Sequence, residues 1–248
     1  MRVRSGVFAA WASAWLAGEA AYDDVVARVT GDDEPHRVTG LPGAEGERPL
    51  GWALPLLRSP VGVRVVLPVA GDPRGLPGPG PFTTAALTAG EAVVGRGIGL
   101  VPQVTTHGSA LDRTESVLWT AYGIGEPAPD PLTVAEAEHD LTAATRDAAS
   151  ALAALDVASW RPEVADGLAR VRRGVTPDLP PGHEARAVRL LASADRLSAV
   201  LDLARADAPG GAVTGTEARA RDDALRPLAA AVRRARLAAY NAVPSRHR

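Results

Sequence analysis

A chain of 248 residues, 46% hydrophobic and 23% charged, has the balance of a folded protein and the length for one large domain or two small ones. It holds no cysteine, which excludes disulfides, thiolate metal sites and thiol nucleophiles; all 27 basic residues are arginine, which excludes Schiff-base lysines and a P-loop lysine. A net charge of −2 gives no global attraction to nucleic acid or to a membrane surface.

The chain opens on Arg2, Arg4 and an uncharged run from Ser5 to Gly18, a pattern shared with signal peptides. The apolar stripe argues for a folded helix instead. Phe8, Trp15, Tyr22 and Val29 recur every seven residues, and Trp11 and Val25 complete a face that passes any plausible cleavage point. The expectation is one helix over Val7–Val29. The uncharged run is also shorter than the ~20 residues of a membrane span.

From Gly31 to Gly125, proline and glycine punctuate short runs rich in valine and leucine, the pattern of strands joined by turns. The predicted strands are Arg37–Leu41, Gly51–Leu57, Gly62–Val69, Glu91–Gly95, Ile98–Val104 and Ser116–Ile124. Their close spacing favours an antiparallel meander over βαβ crossovers. One short helix fits Thr83–Ala89, after an irregular glycine/proline segment from Gly71 to Pro81.

Residues 126–131 form a proline-rich connector, and beyond them the rhythm turns helical. Thr133 and Glu136 make a capping box for a helix to about Val157, with Val134, Leu141, Ala148 and Leu155 in heptad register. A short helix follows with Pro162 in its first turn. Two longer ones are predicted over Glu184–Ala206 and Thr216–Ala242, with a kink or break before Pro227. The reading is an α+β protein: a domain over 1–126 of N-terminal helix and antiparallel sheet, then an alanine-rich three- or four-helix bundle over 132–243.

Candidate chemistry concentrates in the polar segment Thr105–Glu115, read as a loop between two strands. His107 as base, Ser109 or Thr106 as nucleophile and Asp112 orienting His107 supply the parts of a hydrolase-type site. No G-x-S-x-G elbow surrounds Ser109. Asp72 and Arg74 in the Gly71–Pro81 loop, with Thr106 and Arg113, are candidate ligand-binding groups, the arginines for an anion. Glu136-x-x-His139 has the spacing of a di-metal bundle, but the heptad puts both on the solvated face and no second motif accompanies them, so no metal site is expected. Gly95–Gly99 has the look of a nucleotide-binding glycine loop but lacks the helix that must follow. Arg226, Arg233, Arg234 and Arg236 form a basic stretch without a helix-turn-helix pattern, so nucleic acid is a disfavoured partner.

The run Gly71–Pro79, followed by Phe82–Leu87, Gly90–Val94 and Gly99–Pro102, resembles stretches in an uncharacterised protein family of high-GC bacteria. The resemblance spans residues 60–105 and implies no activity and no catalytic residue.

No motif fixes a reaction, so the function is unknown from the sequence. The leading expectation is a non-catalytic binding or assembly protein of the cytoplasm, without cofactor, that forms a homo-oligomer through alanine-rich and aromatic faces. A small-molecule ligand is a further option. The alternatives are a hydrolase-type enzyme with its site between loops 71–81 and 105–115, and nucleic-acid binding through the C-terminal arginines.

Overall fold

The computed structural model describes residues 3–59, 62–109, 112–125, 132–154, 176–206 and 215–242. It is an α+β protein: helices, a six-stranded mixed sheet, then helices again. Its described residues group into two compact units, one within Arg2–Pro131 together with Asp178–His183, the other within Leu132–Pro177 and Glu184–Ala242. The connector at 126–131, the predicted helix around Pro162 and the tail after Ala242 lie outside the described residues.

In the first unit the aromatic stripe folds as two helices instead of one: α1 (Arg4–Leu16) and α2 (Tyr22–Thr30). Gly18 causes the break. Its φ of 79° is left-handed, and Glu19 N–H bonds Ala14 C=O while Gly18 N–H bonds Trp15 C=O. That pair of bonds is a Schellman stop, which a left-handed glycine favours. The stripe survives because Trp15 and Tyr22 meet edge to face across the break, their centroids 6.4 Å apart.

The sheet runs β2–β1–β6–β5–β4–β3, with β1 at Arg37–Thr39, β2 at Arg48–Pro49, β3 at Arg64–Val66, β4 at Ala92–Val94, β5 at Ile98–Ser109 and β6 at Asp112–Gly123. Neighbours are antiparallel except β1 and β6, which run parallel with Val38 opposite Trp119. A third helix, α3 (Pro81–Ala89), starts on Pro81 and stops at left-handed Gly90. Helix α1 covers one sheet face, where Phe8 packs edge-on to Trp119 at 5.2 Å. Helix α3 covers part of the other, where Phe82 gathers with Val66, Val94, Val101 and Tyr122. Gly99 makes room for it, since a Cβ there would lie 2.4 Å from the Phe82 ring.

Two predicted elements change type. Gly51–Leu57 is no strand but the body of a 3-10 helix, Leu50–Leu57. Its buried apolar side chains, Leu50, Ala53, Leu54 and Leu57, follow a spacing of three and four, which a helix satisfies and a strand does not. The segment read as a loop at 105–115 is strand on both sides of residues 110 and 111.

In the second unit the described helices are α4 (Val134–Ala154), α5 (Ala185–Ala206) and α6 (Gly215–Tyr240), and α6 packs against both others. The contact is lined by Ala137, Leu141, Ala148, Leu190, Ala194, Leu228, Val232, Ala235 and Ala239, all buried. The capping box forms as read, with Thr133 N–H donating to Glu136 Oε2 at 2.9 Å and Glu136 N–H to Thr133 Oγ at 3.2 Å. No break occurs at Pro227; α6 runs through it, and the proline sits on an exposed position. Among the described residues no helix is long and apolar enough to cross a membrane.

Candidate functional site

The β5–β6 hairpin carries most of the residues singled out from the sequence. Its strands pair residue by residue, with Thr106 opposite Glu115, His107 opposite Thr114, Gly108 opposite Arg113 and Ser109 opposite Asp112. His107 Nε2 lies 2.8 Å from Ser116 Oγ, so the imidazole pairs with a serine that sequence reasoning had not chosen. Arg113 reaches Glu115 at 2.9 Å and Thr106 Oγ at 3.4 Å. All seven residues from Gln103 to Ser109 are exposed, as are Asp112 to Thr114. The hairpin thus brings His107, Thr106, Ser109, Asp112 and Arg113 onto one ribbon at its surface.

Asp72 and Arg74 lie instead in the turn after β3, where Arg74 Nε donates to Asp72 at 3.0 Å. They hold each other, in a different part of the sheet order from the β5–β6 ribbon. The C-terminal arginines are also engaged. Arg226 pairs with Asp223, Arg234 with Asp140 and Arg236 with Asp195. Glu136 and His139 stand exposed on α4. Among the described residues no group of three potential ligand side chains is placed to hold a metal ion.

The densest polar chemistry lies where the sequence reading did not look, on the α1 side of the sheet. Arg4 is buried at the start of α1 and grips Asp33 with two bonds, Nε to Oδ2 at 2.8 Å and Nη2 to Oδ1 at 3.1 Å, while Nη2 also reaches Glu115. Asp33 Oδ2 is 3.1 Å from His36 Nε2. On the other side of the ring, Trp119 Nε1 donates to His36 Nδ1 at 3.2 Å. An indole N–H is a donor only, so Nδ1 must offer its lone pair and Nε2 carries the proton that Asp33 accepts. A chain of bonds therefore runs from the core at Trp119 through His36, Asp33 and Arg4 to Glu115, and on to Arg113 at the ribbon surface.

The electrostatics follow from these contacts. Burial pushes the Asp33 carboxyl up, but bonds from Arg4 and His36 and their charge hold it below the ordinary aspartate value. The bond from Arg4, outweighing partial burial and helped by Arg113, holds Glu115 below the usual glutamate value. The bond to Asp33 likewise raises Arg4. Close by in sequence, Ser5 N–H donates to the buried Glu91 carboxylate at 2.8 Å. Val3, the N-cap of α1, supplies no side-chain bond, so a glutamate just before β4 caps the helix from across the fold. The available sequence signals were Asp33-x-x-His36 directly after a helix and an arginine immediately ahead of an uncharged run.

Comparison with known proteins gives a consistent result. Residues 5–135 match the family described as Rv1486c-like protein, N-terminal domain, and residues 135–237 match Rv1486c-like protein, C-terminal domain. The chain is 34% identical to "Uncharacterized protein Rv1486c" of Mycobacterium tuberculosis over 94% of both chains. It is 33% identical to "Uncharacterized protein MAV321" of Mycobacterium avium and 30% to "Uncharacterized protein ML1804" of Mycobacterium leprae, again over 94% of each. No solved structure matches. With both halves matched in order and relatives aligned along nearly their whole length, the chain belongs to the Rv1486c-like protein family.

Proposed function

We propose that this chain is a non-catalytic binding or assembly protein of the cytoplasm that acts as a homo-oligomer. The observation that carries the reading is the ribbon formed by the outer parts of β5 and β6. Pairing with β4 ends at Leu100 and pairing with β1 begins at Leu118, yet the hairpin continues to Ser109 and Asp112. A two-stranded ribbon is marginal alone in water, and an exposed one is a usual place for a partner to add.

The buried network supports a structural role for the remaining ionisable groups. Both nitrogens of His36 are engaged and its side chain is 0% exposed, which leaves no ring atom to meet a substrate. The lack of cysteine fits a reducing compartment. Light scattering on a size-exclusion column across a wide concentration range tests the assembly reading. The expected mass is at least twice the 25.6 kDa of one chain, and a strict monomer throughout would sink it.

One observation favours a hydrolase-type second reading: the 2.8 Å pair of His107 and Ser116, with Ser109 opposite Asp112 on the same hairpin. A serine-directed phosphonate probe tests it. Labelling lost in both Ser116→Ala and His107→Ala would favour an enzyme, and no labelling of the native chain would end that reading.

A further inference from the structure

We infer that the exposed ridge of the 3-10 helix Leu50–Leu57, together with Arg58 and Arg96, docks the chain on the surface of an anionic lipid bilayer. The inference goes beyond the assembly reading and does not depend on it. It starts from helix geometry. With three residues per turn, the side chains of a 3-10 helix stack in three rows. Gly51, Leu54 and Leu57 make one row, and all three are buried. Trp52 and Pro55 make an exposed row that runs on to exposed Arg58. The third row begins buried at Leu50 and Ala53 and ends exposed at Leu56. Trp52 is 55% exposed and Leu56 39%, so one short helix holds out an indole and a leucine together. Single apolar side chains scattered over a surface are ordinary, but a tryptophan and a leucine four positions apart on one helix form a patch.

The occupant follows from charge. A net charge of −2 draws the whole chain to no membrane, so the attraction is local. The sequence carries no carboxylate between Glu47 and Asp72, and none between Glu91 and Asp112. These two stretches meet where Gly95 lies against Leu57, since a Cβ on Gly95 would stand 2.7 Å from the Leu57 carbonyl oxygen. The residues that follow, Arg58 and Arg96, therefore sit on neighbouring backbones, and both are exposed. Arg48 lies over the Trp52 ring, 5.3 Å from its centroid. Among the described residues none of these three arginines pairs with a carboxylate, whereas Arg4, Arg28, Arg37, Arg74 and Arg113 of the same unit all do. Carboxylates gather at the other end of the ridge. Glu45 and Glu47 precede it, and Asp23 and Asp24 follow Tyr22, whose hydroxyl lies where a Gly51 side chain would be. The end with Arg58 and Arg96 is thus the one that meets lipid. Indole and leucine side chains settle at headgroup level, guanidinium groups bind lipid phosphates, and the cytoplasmic leaflet supplies the negative potential that attracts them.

Flotation of the full chain with lipid vesicles at low salt tests this. With phosphatidylcholine vesicles containing roughly a third phosphatidylglycerol the native chain should float, and with pure phosphatidylcholine it should not. Raising the salt should weaken the binding. Arg58→Gln/Arg96→Gln should weaken it about tenfold or more, and Trp52→Ser/Leu56→Ser by a similar factor. All four side chains are exposed, so both variants should keep the native thermal midpoint. Arg189→Gln/Arg196→Gln makes the same change of charge on exposed positions of α5 and should leave binding as it was. A native chain that stays out of the vesicle fraction at low salt overturns the inference. So does binding that both ridge variants retain, or that the α5 variant loses to the same extent. Release by soluble glycerophosphate at matched ionic strength would show a pocket for a free phosphate in place of a docked surface, and would overturn it too.

Discussion

Trp119 gives its indole N–H to Nδ1 of His36 across 3.2 Å, and neither side chain is open to solvent. The bond fixes which nitrogen of His36 bears the proton and so fixes what the ring offers Asp33. Trp119→Phe should keep most of the apolar contact with Phe8 but strand a buried acceptor. We expect a loss of about 2 kcal/mol by urea denaturation. A loss within about 0.5 kcal/mol, the usual range for an uninvolved surface change, would mean that the bond contributes nothing.

Asp33 accepts from Arg4 and His36 at once, with Arg4 and Asp33 side chains 7% and 11% exposed. Removing it leaves a buried guanidinium with Glu115 as its remaining carboxylate partner in the network. Asp33→Ala should cost about 3 kcal/mol by the same measurement. Replacing the pair with apolar residues in Arg4→Met/Asp33→Leu should recover a good part of that, since the pair's own desolvation cost disappears with it.

Asp33 and Glu115 are both held below their ordinary values in the folded chain. A carboxylate with a depressed folded pKa adds stability that is complete above the unfolded value and is lost as pH falls toward the folded one. These two carboxylates should therefore contribute a loss of stability that sets in at about pH 4.5 and deepens below it. Urea titrations at stepped pH check this, and the Asp33→Ala, Glu115→Gln double variant should show a shallower fall. An equally steep fall in that variant would place the acid sensitivity elsewhere.

Gly99 lies against the Phe82 ring, so Gly99→Ala forces the ring or the strand to move. The expected cost is about 1–3 kcal/mol, read as a lowered thermal midpoint. Adding Phe82→Leu should relieve part of it. If Gly99→Ala is neutral alone, the packing of α3 on β5 is looser than drawn.

What could be read from the sequence is what depends on local pattern. The heptad of α4 gave its side of the bundle seam, and the T-x-x-E spacing gave the cap at Thr133 because both partners lie within one turn. Polarity misled where it was taken as a sign of loop. The Thr105–Glu115 stretch is polar because a ribbon with two wet faces has no apolar side to show, and its β-branched threonines were the better clue. In Leu50–Leu57 the composition suited a strand while the three-and-four spacing already said helix. The Arg4–Asp33–Glu115 cluster was hidden for a different reason: its members are separated by 29 and 111 positions, and only the parallel pairing of β1 with β6 shows why they meet.

The glutamate that closes the start of α1 has one more effect. Glu91 stands 86 positions from the Ser5 amide it receives. A short helix whose first turn has no side-chain cap and no acidic residue, and carries a cation instead, nucleates poorly in isolation. Synthesised alone, the opening segment should be mostly coil, and it should gain its helix only when the strands around Glu91 have assembled. The ribosome therefore releases about a third of this chain before its first element can settle, and a truncation upstream of Glu91 should yield a product that proteases digest.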